Sequence, residues 1–591
     1  MRLIVFIFIF MCANMNAQDD IFAKDYFENG EYEKALIEYK KLYNKSPNNI
    51  NYINRVVESF QQLEQYIEAQ QFLLNLLERI KFPAFYIELG YNYQLQNNLE
   101  TANDYYSQAL ASIDINPNNV FSVARGFQKH TLLNEALLAY EKAMVLKPDL
   151  NFKLQMAQIY GEQGDVEKML ISYIDFAEAN EVALNNIKRA INDFITDDSL
   201  NENNILFRKI LLRKIQQEPN IIWNNLLSWL FIQQKDFGKA FIQEKAIFNR
   251  RPESLNRIVE LSNIALNEKD FVAAKDMLNY LINTAQDLET LLDTHYNLLK
   301  IETEESTQVD LESINQKYLE LFAEYGLFSQ TLDLQIAYAH FLAFYYNQPE
   351  KATTFLEKTL TLPLNDLQKA YVKIKLGDIY VLKEEFNTAL VYYTQIQRSL
   401  KNSTISQEAR FKVAKTSYYK GDFTWAESQL KILKASTSQL IANDALDLKL
   451  LISDNKYEDS LQTALKLYAK ADLMSFQNKN NEAIVLLDQV LINHKTESII
   501  PQALYLQAQL FEKKKNYLKA EENYSKILIN YKEGILVDDA SFALANLYLN
   551  YLSEPDKAKD LYEDIVFNHA DSIFFIEARK RYRALRGDIV N

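Results

Sequence analysis

Apolar residues recur three and four positions apart along almost all of this 591-residue chain, the spacing that gives a helix one or more buried faces. A longer period is superimposed on the short one. A small residue stands one helical turn before an aromatic or leucine at Ala35, Ala69, Ala102, Ala136 and Met169, at intervals of 34, 33, 34 and 33 residues. The same slot returns at Ala240, Ala274, Ala352, Ala389, Ala426, Ala483, Ala520 and Ala558. A period of about 34 predicts stacked helix-turn-helix units, each covering a face that its neighbour cannot bury alone.

Further positions hold the same phase. The first unit reads Ala23, Tyr26, Gly30, Ala35, Tyr39 and Pro47; the third reads Gly90, Tyr93, Ala102, Tyr106 and Ala109; the fourth reads Ala124, Phe127, Ala136, Tyr140, Ala143 and Pro148. Small residues on both helices permit close approach, aromatic rings fill the space beside them, and proline stops the second helix. These residues resemble the tetratricopeptide repeat. That resemblance implies an all-α fold, a right-handed superhelical solenoid of tetratricopeptide-like helix-turn-helix repeats, acting as a protein-interaction scaffold and not as an enzyme.

The phase breaks in three places. Intervals of 71 residues after Met169 and 78 after Ala274 each span about two periods, and one of 57 follows Ala426. This divides the chain into an N-terminal array over 18–180, degenerate helical repeats over 181–335, and a C-terminal array with a capping helix over 336–591. The polar run Glu302 to Thr307 is expected to be an exposed loop or joint, and Ser436 to Ser438 a second one. After Ala352 the regular spacing is 37 to 38. It resembles the repeats of periplasmic outer-membrane-assembly and Tol-Pal coordinator proteins, although the proline customary in their turns is absent from Asn568 to Ser572 and Asn530 to Gly534.

Met1 and Arg2 precede an apolar run from Leu3 to Ala13, and Met15-Asn16-Ala17 offers a cleavage site, so residues 1–17 read as a secretory signal peptide. The only cysteine, Cys12, lies inside it; its acylation would require small residues where Phe10 and Met11 stand. The expected location is the periplasm, with peripheral association to the outer membrane as a variant. A net charge of -15 argues against nucleic acid, which demands a cationic surface. Only 11 glycines and 10 prolines suit a chain that is helical nearly throughout.

No motif nominates catalysis. His130, His295, His340, His494 and His569 stand singly, without the spacing of metal ligands. No phosphate-binding loop or nucleophile elbow occurs, so no cofactor, metal or small-molecule substrate is expected. The repeat resemblance places positions 2, 5, 9 and 12 of each first helix on an inner face. They include Asn54, Glu58 and Gln61, then Ile87, Tyr91 and Gln94, then Phe121, Arg125, Gln128 and Gln158. Amides can pair with the backbone of an extended peptide, and rings offer flat contact; the other reading is a solvated polar lining. The Lys-then-Asn pair that clamps chaperone-tail carboxylates is missing, since Asn54 and Glu58 occupy those positions in the second unit. Arg579, Lys580, Arg581, Arg583 and Arg586 read either as a polar cap helix or as a second docking surface. The expected partner is a protein or peptide segment of envelope proteins; the alternative is a glycan-binding surface lipoprotein built from helical repeats.

Overall fold

The computed structural model describes residues 20–307, 309–433, 439–457 and 461–587. The expected signal peptide, its Cys12 and the joint at 436–438 lie outside the described residues. Every described element is a helix. The chain forms two compact units, Met1–Lys235 and Asp236–Asn591, each with apolar clusters of its own.

Within each unit, helices joined by short turns pack as antiparallel pairs, and the pairs stack in chain order. The recurring alanine is the fourth residue of the second helix of a pair: Ala35 in Tyr32–Lys45, Ala274 in Phe271–Thr284, Ala520 in Tyr517–Asn530. All twelve alanines of this set are fully buried. A larger side chain there would push the pair apart, so the slot sets the crossing distance.

One turn further on, a tyrosine often closes the pair by donating its hydroxyl hydrogen back to the first helix. Tyr106 donates to Gln94 (2.8 Å), Tyr393 to Asp378 (2.7 Å), Tyr524 to Glu512 (2.5 Å) and Tyr562 to Asn546 (2.7 Å). The turn inside a pair is equally regular: two residues before the second helix the backbone enters the left-handed region. Glycine supplies it at Gly30, Gly164 and Gly421, whereas Glu64, Asn97, Thr131 and Lys269 adopt it with a Cβ in place.

The irregular intervals have separate causes. In the first, helix Glu202–Gln217 carries buried Asn204, whose amide donates to the carbonyls of Thr196 and Asp198 (2.8 and 2.6 Å) and so staples the preceding loop. In the second, Leu311–Tyr325 has Ile314 as its fourth residue where other second helices have alanine. The Glu302 to Thr307 run is not a loop over most of its length: Leu288–Glu305 is one helix, with only Ser306 and Thr307 beyond it. Glu302 pairs with Lys317 at 2.7 Å, Glu305 pairs with Lys275, and Thr303 is buried with its hydroxyl on the Leu299 carbonyl. Polar composition marked this segment as a loop, but Glu302 and Glu305 have partners on the flanking helices. The 57-residue interval holds an additional helix, Gln439–Asn455, whose Ala445, Leu448 and Ile452 enter the apolar cluster of its neighbours.

Candidate functional site

The inner face of the first unit is largely occupied by its own side chains. Lys129 reaches back across two earlier first helices, to Glu58 at 2.7 Å and Glu88 at 2.8 Å. His130 Nε2 lies 3.1 Å from the other oxygen of Glu88, and its ring stacks on Tyr91 with centroids 3.8 Å apart. Arg55 adds a bond to Glu58 at 2.9 Å. Burial works to raise the Glu88 pKa, but His130 beside it and the charge of Lys129 overcome it, holding the carboxyl below its ordinary value.

The residues expected to bind a partner are therefore divided. Glu58 and Tyr91 belong to this network, and Gln94 and Gln128 accept the closing hydroxyls of Tyr106 and Tyr140 (2.8 and 3.4 Å). Ile87 and Gln61, placed on the inner face by the register, are buried instead. Ile87 is core because the next first helix brings Gly126 against it. Asn54 is half-buried, while Phe121, Arg125 and Gln158 are exposed; Phe121 meets Phe152 edge to face at 5.5 Å. In helix Phe575–Arg586, Arg581 turns inward, bonding Glu577 and Asn546 and lying 5.9 Å from the Tyr562 ring, and Arg586 lies 5.4 Å from the Tyr582 ring. Arg579 and Lys580 are exposed and Arg583 is half-buried.

An open face lies in the second unit. Three cavities of about 610, 420 and 270 Å³ adjoin one another along first helices Asn256–Asn267, Leu288–Glu305 and Leu332–Phe344. They share walls: Asn263 and Asn297 between the first two, Lys300 and Glu304 between the second and third, Tyr296 and Asp333 between the first and third. The groove thus offers amides, both charge signs and a tyrosine on one continuous surface.

Its largest section is acidic. Burial raises the Asp293 pKa, and the neighbouring Asp333, Glu289 and Asp287 raise it further. The smallest section has a cationic floor. Lys375, from helix Asp366–Leu382, lies 3.4 Å from His340 Nδ1, and burial holds its pKa below the ordinary lysine value, with Lys412 adding to the effect against Asp378. Burial, then the Lys375 charge, brings His340 down to about 4, so its ring is neutral at physiological pH.

Sequence reading missed this groove for an identifiable reason. Counted from Ala274, the positions used in the first unit give Asn256, Val259, Asn263 and Leu266, all of which line the groove. The next pair has Ile314 in the slot, so nothing in the sequence sets the register of Tyr296, Lys300 and Glu304. Among the described residues no group of His, Cys, Asp or Glu could hold a metal ion, and no helix is long and apolar enough to cross a membrane.

Paired helices stacked in register, a buried alanine at most crossings and a polar groove along the first helices define an all-α solenoid of tetratricopeptide-like repeats. No family model and no curated protein matches the sequence. Among solved structures, the chain is similar to Naa15/Naa10 bound to HypK-THB, at 12% identity and a TM-score of 0.28 over 97% of this chain and 94% of that one. It is similar to the APC/C hetero-tetramer Cut9-Hcn1 at 12% identity and 0.25, over 97% and 98%. A tetratricopeptide repeat protein from Parabacteroides merdae is 14% identical with a TM-score of 0.25, over 50% of this chain and 98% of that one.

Proposed function

We propose that this chain is an exported, non-catalytic scaffold of the bacterial cell envelope that holds a protein or peptide segment of other envelope proteins and serves envelope assembly or secretion. The observation that supports it best is the contrast between the two inner faces. In the first unit Arg55, Glu58, Glu88 and Lys129 pair with one another, while in the second an open groove presents Asn256, Asn263 and Asn297 beside Asp293 and Asp333. Side-chain amides both donate and accept, so they can satisfy the backbone of an extended segment without selecting its sequence, and the flanking charges then select it. Export rests on the apolar run before Ala17, and the envelope role on the resemblance of the 37 to 38 residue repeats to periplasmic assembly and Tol-Pal coordinator proteins.

The test is in-cell crosslinking and affinity capture from the envelope fraction, comparing the unaltered protein with Asn297→Ala/Asp333→Ala and Tyr91→Ala/Arg125→Ala. Defined envelope proteins lost only in the first variant support a scaffold that binds in the second unit. Loss only in the second variant moves the site to the first unit, and recovery of no envelope protein at all refutes the scaffold.

A further inference from the structure

We propose that the 270 Å³ cavity floored by Lys375 takes a single carboxylate of the bound chain, with Tyr296, Tyr318 and Tyr345 enclosing the apolar atoms next to it. The inference rests on the peptide-binding reading above and names the chemistry that one section of the groove selects.

The argument starts from charge balance. Other half-buried lysines of this unit have carboxylate partners: Lys412 lies 2.9 Å from Asp378, and Lys415 lies 2.6 Å from Asp472. Lys375 is different, because among the described residues no carboxylate stands within 4 Å of its ammonium. Asp378, the carboxylate that acts on it most, already accepts from Lys412 and from the Tyr393 hydroxyl at 2.7 Å. The side-chain partner of Lys375 is His340 Nδ1, on a neutral ring held against Phe344 with centroids 4.6 Å apart, so it can accept a hydrogen bond but supply no charge. A half-buried cation that Asp378 and Glu408 attract without contacting stays incompletely paired, and an arriving carboxylate would complete the pairing.

The walls define what accompanies that carboxylate. Tyr318 is almost fully buried and Tyr296 and Tyr345 are partly so; with Ile336 and Ala337 they form an apolar sleeve about the size of one residue. Lys300 at the rim reinforces the attraction for a negative group. Asp333 and Glu304 share that rim, and Asp293 lies beyond it, so a run of several carboxylates is repelled where one is accepted. The best match is one acidic group on a chain whose adjacent positions are neutral or basic. Two sources fit that chemistry, an acidic side chain and a chain-terminal carboxylate.

Fluorescein-labelled peptides in two matched pairs distinguish them. One pair is Gly-Ser-Phe-Glu-Ser-Gly-amide and its Gln counterpart; the other is Gly-Ser-Gly-Ser-Phe as free acid and as amide. Affinity is read by fluorescence anisotropy on the full chain, on Lys375→Met and on Lys375→Arg. The expected result is an acid form that binds about tenfold more tightly than its neutral partner, as befits a charge-assisted hydrogen bond. That preference should vanish in Lys375→Met and persist in part in Lys375→Arg, and the pair that shows it identifies the source. Equal affinities within both pairs, including no measurable binding, overturn the proposal, as does a preference that survives Lys375→Met. Envelope proteins that are still captured in either of those cases leave the scaffold reading standing, whereas their absence removes it independently.

Discussion

Replacing Gly377 by alanine tests the close-approach argument where the two competing effects differ in sign. Gly377 lies inside helix Asp366–Leu382, where alanine is intrinsically favoured by about 1 kcal/mol. A Cβ at this point, however, would stand 2.4 Å from Cε1 and 2.5 Å from Cζ of Tyr393. That ring has nowhere to go, since Tyr393 is 1% exposed and its hydroxyl is tied to Asp378. Overpacking a rigid core costs about 1–3 kcal/mol, and displacing the ring also weakens a hydrogen bond to a charged acceptor worth about 1.5–3 kcal/mol. We expect a net loss of about 2 kcal/mol once the helix-propensity gain is subtracted. Because a repeat array opens in segments, the assay is hydrogen exchange read by mass spectrometry on peptides from 366–399, supported by thermal melts of the whole chain. The control is Gly238→Ala, also helical but with no atom within 4 Å of the new Cβ; it should gain up to about 1 kcal/mol. A Gly377→Ala protein as protected as the parent, or a Gly238→Ala protein that loses protection, would refute the account of the crossing.

Other consequences can be measured in the same way. Glu88→Gln leaves Lys129 and His130 facing a neutral amide, and should destabilise the first unit by about 2–3 kcal/mol in urea melts. Because the Glu88 pKa is depressed in the fold, the stability it contributes is present above the ordinary carboxylate range and is lost as pH falls through its folded value, so the parent and Glu88→Gln curves should converge in acid. Asp539 behaves oppositely. Burial, with Asp538 and Asp447 beside it, pushes it up to about 6, so folded-state stability falls as pH rises from the ordinary aspartate value to about 6. Asp539→Asn should therefore stabilise by roughly 1 kcal/mol at pH 7.5, allowing for solvent screening, and by nothing at pH 4. Thr131, a β-branched residue at φ 58°, holds the left-handed turn position that glycine fills elsewhere; Thr131→Gly should raise stability by about 1 kcal/mol through relief of that strain.

What the sequence disclosed follows from which physical constraints are local. The alanine slot is legible because closeness at a helix crossing admits few side chains, so Ala35, Ala389 and Ala558 repeat the same solution hundreds of residues apart. The turn was only partly legible: Gly30 and Gly164 announced it, while Glu64 and Lys269 take the same backbone conformation with side chains that give no sign of it. The inner-face positions were located in part, since register fixes which way a residue points but not what meets it. Glu58 and Tyr91 meet Lys129 and His130, which come from the end of a first helix further along the chain, and no local pattern in 50–95 reports them.

The groove was hidden by the same dependence on register. Where Ile314 replaces the alanine, the periodic signal stops, and helices Leu288–Glu305 and Leu311–Tyr325 touch less than most other pairs do, as a wider side chain at the crossing would produce. Tyr318, the residue one turn after that slot, lines the resulting cavity together with Thr303, on the very pair whose crossing is loosened. In a repeat protein whose regular units spend their polar groups on one another, a site can form where a unit departs from the rule. The break in periodicity at 275–351 is therefore the sequence feature that points to the groove, even though it conceals the residues of helices Leu288–Glu305 and Leu332–Phe344 that line it.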